Sequence, residues 1–135
     1  MQFRITFVEL QNLLQAKTGQ QLPISYRDSR TATLAYDAKV LIRTMSMSLD
    51  LTVERVLGTD VRLSYSGGMA VEMMVRTALN QIKGRPEGAM LEVLDHNQLV
   101  LHLGMNPQLA QIFERVILQD IFFDPDYITI EFTPR

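Results

Sequence analysis

The sequence predicts an α+β domain: a mainly antiparallel, strongly twisted, hairpin-built sheet with three helices packed on one face. Three observations predict it. From Thr44 to Glu54 apolar and polar residues alternate without a break, which marks a half-buried strand with one wet face. Most strand-like runs are joined by short turn sequences, so neighbouring strands run antiparallel. Three runs with helical spacing separate these hairpins.

Met1 to Ile5 sets apolar Phe3 and Ile5 against polar Gln2 and Arg4 and reads as a short strand. Thr6 then suits a helix N-cap, with Glu9 three residues on to complete a capping box and Ile5 and Leu10 placed as a hydrophobic staple. The first helix is expected over Phe7 to Lys17, with Phe7, Leu10, Leu13 and Leu14 on one face and Gly19 as its stop. Residues 20–30, with Pro23 and the polar run Arg27-Asp28-Ser29-Arg30, read as loop. Thr31 to Asp37 reads as a strand.

In the long run, Met45, Met47, Leu49, Leu51 and Val53 point one way, and Thr44, Ser46, Ser48, Asp50, Thr52 and Glu54 the other. At ~3.3 Å per residue such a strand spans roughly 36 Å, so it should be strongly twisted or bulged. Gly58-Thr59-Asp60 turns the chain into a return strand, Val61 to Tyr65. A second helix begins near Met69 after Gly67-Gly68, with Val71, Met74, Val75, Ala78, Leu79 and Ile82 as its apolar face, and Gly84, Arg85 and Pro86 end it. Ala89 to Leu94 and Gln98 to Leu103 form a hairpin about Asp95-His96-Asn97. Asn106-Pro107 caps a third helix with Leu109, Ile112, Phe113 and Val116 inward. The chain closes with strands Leu118 to Phe123 and Tyr127 to Thr133 around Asp124-Pro125-Asp126. The whole of residues 1–135 is expected to be one domain.

Composition narrows function by exclusion. With no cysteine there is no disulfide, thiolate metal site or cysteine nucleophile. A formal charge of −2 argues against non-specific nucleic-acid binding. No stretch is long and apolar enough for a membrane span. A complete chain is expected in the cytoplasm, and one trimmed of a signal or anchor in the cell envelope. The charge is uneven: residues 1–85 carry eleven Lys/Arg and seven Asp/Glu, residues 86–135 two and eight. That asymmetry fits two solvated surface regions, a basic face for an anion, or complementary faces for self-association.

No nucleotide, hydrolase or metalloprotease motif is present, and no cofactor is implied. Gly67-Gly68 reads as a strand-to-helix turn rather than a phosphate loop, because it lacks the lysine and the longer loop. His96 falls in a turn, and His102 has strand parity opposite to Leu99, Leu101 and Leu103, toward the polar face. Asp120, Asp124 and Asp126 cluster near the last hairpin, where Asp-Pro-Asp is favourable turn chemistry. A catalytic role for His102 or these acids is therefore the weakest of the functional readings, and no metal is expected. The eight methionines stand out more. Met69 and Met73 fall on the polar side of the second helix, as a core filler under another layer or as a partner surface.

The opening Thr6-x-x-Glu9-Leu10-x-x-Leu13-Leu14 and the closing Leu118-x-Asp120-Ile121-x-Phe123-Asp124-x-x-Tyr127-Ile128-x-Ile130-x-Phe132 resemble the small bacterial members of the tubular lipid-binding superfamily. The resemblance implies a long curved antiparallel sheet around a helix, with an apolar channel for lipid between them. It implies a ligand-binding lining drawn from Met45, Met47, Leu49, Leu51, Met74 and Leu13. The expected function is thus a non-enzymatic binding protein for an apolar or lipid-like ligand. The alternative is a protein-interaction or homo-oligomeric self-assembly module, with Met69 and Met73 at its surface.

Overall fold

A computed structural model describes residues 1–19, 21–82 and 89–135, with the backbone alone for 17, 18 and 38–40. The elements run β1 (Gln2–Thr6), α1 (Phe7–Thr18), β2 (Ile24–Tyr26), β3 (Thr31–Val40), β4 (Arg43–Leu57), β5 (Asp60–Ser66) and α2 (Met69–Ile82). They continue with β6 (Leu91–Leu94), β7 (Gln98–His102), α3 (Pro107–Phe113), β8 (Val116–Phe123) and β9 (Tyr127–Pro134). The α+β class, the antiparallel hairpin pairing and the three helices are as expected. The strands sort into two sheets, one of three strands in the order β1-β9-β8 and one of six in the order β2-β3-β4-β5-β7-β6.

Capping chemistry sets α1. Thr6 Oγ1 accepts the Glu9 N–H at 3.0 Å, and Glu9 Oε1 accepts the Thr6 N–H at 3.2 Å, so both ends of the box are closed. Gly19 ends the helix in the left-handed region, its N–H reaching Gln15 O. One expected inward residue is not inward: Leu13 is 53% exposed. Phe7 is the buried centre of the stripe, and at 100° per residue Leu13 lies about 120° from it, whereas Leu10 and Leu14 lie closer.

Residues 20–30 are not all loop. Ile24–Tyr26 adds a short edge strand to β3, and Pro23 sits just before it, where a missing N–H costs no ladder bond. The long strand exceeds its expected length, at fifteen residues, and carries the expected bulge, between Val53 and Arg55. In α3 the helix stops at Phe113, so Val116 is a strand residue, and Ile112 is exposed rather than inward. The expected stop at Gly84, Arg85 and Pro86 lies outside the described residues.

Register places the apolar residues of the large sheet on one face. Leu34 faces Leu49, Ala32 faces Leu51, and Val53 faces Leu63. Leu63 in turn faces Leu99, and Leu99 faces Val93. The opposite face is a polar ladder, with Thr33 Oγ1 donating to Asp50 at 2.6 Å, Ser46 to Asp37 at 2.9 Å and Arg62 to Gln98 at 2.7 Å. In the small sheet Phe3, Ile130 and Ile121 share one face. The two apolar faces confront each other. Val53 and Val61 of the large sheet pack with Leu118 and Phe113, and Ala32 packs with Phe7 and Ile128. No helix among the described residues is long and apolar enough to cross a membrane.

Candidate functional site: an apolar cleft between the sheets

The confronting faces do not close completely. A cleft of about 530 Å³ remains between them, with no polar atom on its wall. Ala32, Leu34, Leu51, Leu63 and Leu101 form the large-sheet wall. Ile121, Phe123, Ile128 and Ile130 form the small-sheet wall, and Leu10 of α1 closes one side. The Phe7 and Phe123 rings meet beside it with centroids 6.2 Å apart. Strand parity explains the chemistry: the inward residues of β3, β4, β5 and β9 that reach the cleft are all aliphatic or alanine.

A second hollow of about 330 Å³ lies under α2, between Tyr36, Met47 and Leu49 of the sheet and Val71, Met74 and Ala78 of the helix. Leu34 lines both hollows, so they form one apolar track along the inward face of β3 and β4. The helix over this track is lightly held. None of its residues is buried. Its polar side is pinned by Asn97, whose amide nitrogen donates to Glu72 and whose oxygen accepts from Arg76 Nη2 at 3.2 Å. At its start Gly67 lies so close to β4 that a Cβ would sit 2.6 Å from Ser48 O.

The expected lining residues divide along this track. Leu51 lines the cleft, and Met47, Leu49 and Met74 line the hollow under α2. Met45 has the right parity but lies farther out, 49% exposed. Leu13 lines neither. Met69 and Met73 lie on the outer side of α2, 81% and 60% exposed. Sequence reasoning missed Leu34, Leu63, Leu101 and Ile121 as lining. Their shared alternation was a usable signal, but which faces confront each other was not.

His102, Asp120 and Asp124 have structural partners. His102 Nδ1 lies 2.9 Å from Asp60 Oδ1 and Nε2 lies 2.9 Å from Glu92 Oε2, in a shallow depression beside Leu79, Ile82 and Leu91. Asp60 first, then Glu92, raises the imidazole above its ordinary value. Protonated, the ring donates to both acids and keeps no lone pair for a base, so the trio works as a clamp across β5, β6 and β7. Asp124 Oδ1 accepts the N–H groups of Asp126 and Tyr127 at 3.0 and 2.8 Å, the expected turn chemistry. Asp120 instead holds Arg30, with Nη1–Oδ1 2.6 Å and Nη2–Oδ2 3.1 Å. No group of three His, Asp or Glu among the described residues converges as a metal site. In comparisons with known proteins, no family model, no curated protein and no solved structure matches this chain.

Proposed function

We propose that this chain is a non-enzymatic binding protein for an apolar, lipid-like ligand. The observation that carries the reading is the cleft of about 530 Å³ without a polar atom on its wall. Close-packed interiors leave few voids larger than a water molecule, and sites for small ligands occupy roughly 300–1,000 Å³. The joined hollow under α2 makes the space elongated, which suits a chain-like ligand. Burying about ten methylenes at ~0.8 kcal/mol each supplies about 8 kcal/mol before the cost of ordering the ligand. With no hydrogen-bonding group inside, a polar head group would stay at the mouth. The resemblance to the tubular lipid-binding proteins supports the same class of ligand.

Native mass spectrometry of gently purified protein, before and after incubation with oleic acid or a phospholipid, tests this reading. A retained or acquired one-to-one adduct is expected. A clean unliganded mass with no uptake would count against the proposal.

The exposed Met69 and Met73 favour a second reading, self-assembly through the outer side of α2. Light scattering decides it. Met69→Glu with Met73→Glu should leave stability nearly intact and weaken a dimer, and a strict monomer at high concentration removes the reading.

A further inference from the structure

The β3–β4 hairpin pairs without interruption from Thr31↔Thr52 out to Val40↔Arg43. Its tip, Leu41-Ile42, touches nothing: Leu41 is 95% exposed and Ile42 fully so. The turn also breaks a local rule. Leu41 sits at φ +59°, and it is the first of the two turn residues. Two-residue hairpins with a positive φ at that place favour glycine, and a branched side chain there is strained. The Gly58-Thr59 turn follows the rule, with Gly58 at φ +66°, and the three-residue Asp95-His96-Asn97 turn places His96 and Asn97 at φ +61° and +58°, residue types that enter this region more readily than leucine. A strained, fully exposed aliphatic pair brings the fold no packing, and such breaks of a local rule mark functional positions.

Charge and continuity say what the tip meets. Between Asp37 and Asp50 the sequence holds two cations, Lys39 and Arg43, and no further acid, so the charge nearest the tip is positive. Behind the tip, Met45, Met47 and Leu49 follow on one face of β4, and the last two line the hollow under α2. We propose that the Leu41-Ile42 tip inserts into the surface of an anionic lipid bilayer, with Arg43 meeting the head groups. An apolar wedge beside a cation fits such a surface, since aliphatic side chains enter the acyl boundary and a cation gains from a negative leaflet. The inference goes beyond the ligand reading, because surface insertion can hold or fail independently of what fills the cleft.

The test is flotation of the full chain with vesicles of phosphatidylcholine, with and without phosphatidylglycerol. The wild type should float with the anionic vesicles, and far less with neutral ones or at high salt. Leu41→Gly with Ile42→Ser installs favoured turn residues, so its Tm should hold or rise while flotation falls more than tenfold. Arg43→Gln should weaken binding to the anionic vesicles about fivefold. Oleic acid uptake measured by mass spectrometry should be unchanged in both variants, which separates this proposal from the cleft reading. Wild-type flotation by the turn variant overturns the proposal. So does a wild type that floats with neither vesicle, which would point the tip toward a protein partner instead.

Discussion

Arg30 grips Asp120 with both guanidinium nitrogens across ninety positions of sequence, and its Nη1 also donates to Ile121 O at 2.9 Å. The pair ties the β2–β3 loop of the large sheet to the bulge of β8 in the small one. Backbone bonds run beside it, from Phe123 N–H to Ser29 O and from Val53 N–H to Arg30 O. The corner joins the two sheets next to Ile121 and Phe123, which line the cleft.

The first prediction follows from that corner. Both side chains are partly solvated, so screening limits the pair to about 1 kcal/mol, measurable by a double-mutant cycle of Arg30→Ala and Asp120→Ala in urea. Arg30, with help from the Ile121 N–H, holds the Asp120 carboxyl below its ordinary 3.8. A lowered folded value means the contribution is full above 3.8 and lost as pH falls through the folded value. The stability gap between wild type and Asp120→Asn should narrow over that acidic range, and a gap that stays constant there contradicts the assignment.

His102 should show the opposite sign. Its folded value is raised by Asp60 and Glu92, so its contribution is full below 6.5 and declines as pH rises through the folded value. Thermal melts across neutral pH should show the wild type losing its advantage over His102→Gln as the solution becomes alkaline. A gap that grows with pH would refute the charged clamp.

Leu34 is the junction of the cleft and the hollow under α2. Leu34→Phe should narrow that junction at a cost of about 1–3 kcal/mol if the added bulk is not accommodated. The longest fatty acid retained in native mass spectra should then become shorter. Unchanged chain-length selectivity would show that the two hollows do not hold one ligand.

Gly67 is needed for close approach rather than for a special φ. A Cβ there would meet Ser48 O at 2.6 Å and Val71 Cγ1 at 2.9 Å, so either α2 or β4 must shift. Gly67→Ala should cost about 1–3 kcal/mol in urea unfolding and loosen α2 over the track. Wild-type stability would mean that the helix start moves freely.

Much of the secondary structure was legible because its causes are local. The Thr6–Glu9 capping box, the Asn106-Pro107 helix start and the alternation through β4 need only neighbours in sequence. The three-residue β2 was not legible, since a strand that short has no period and exists only by pairing with β3. The lining was half legible. Parity put Met47, Leu49 and Leu51 on one face, but a helical wheel could not say that Leu13 turns outward while Leu10 reaches the cleft.

By itself, then, the sequence determined most of the elements, their antiparallel hairpins and the apolar side of the long strands, because caps, turns and alternation act over a few residues. Only the tertiary structure decided that the strands divide into two sheets and that their apolar faces confront each other around an unfilled space. Which face meets which depends on contacts such as Arg30 with Asp120, far apart in sequence and set by the packing of the whole chain.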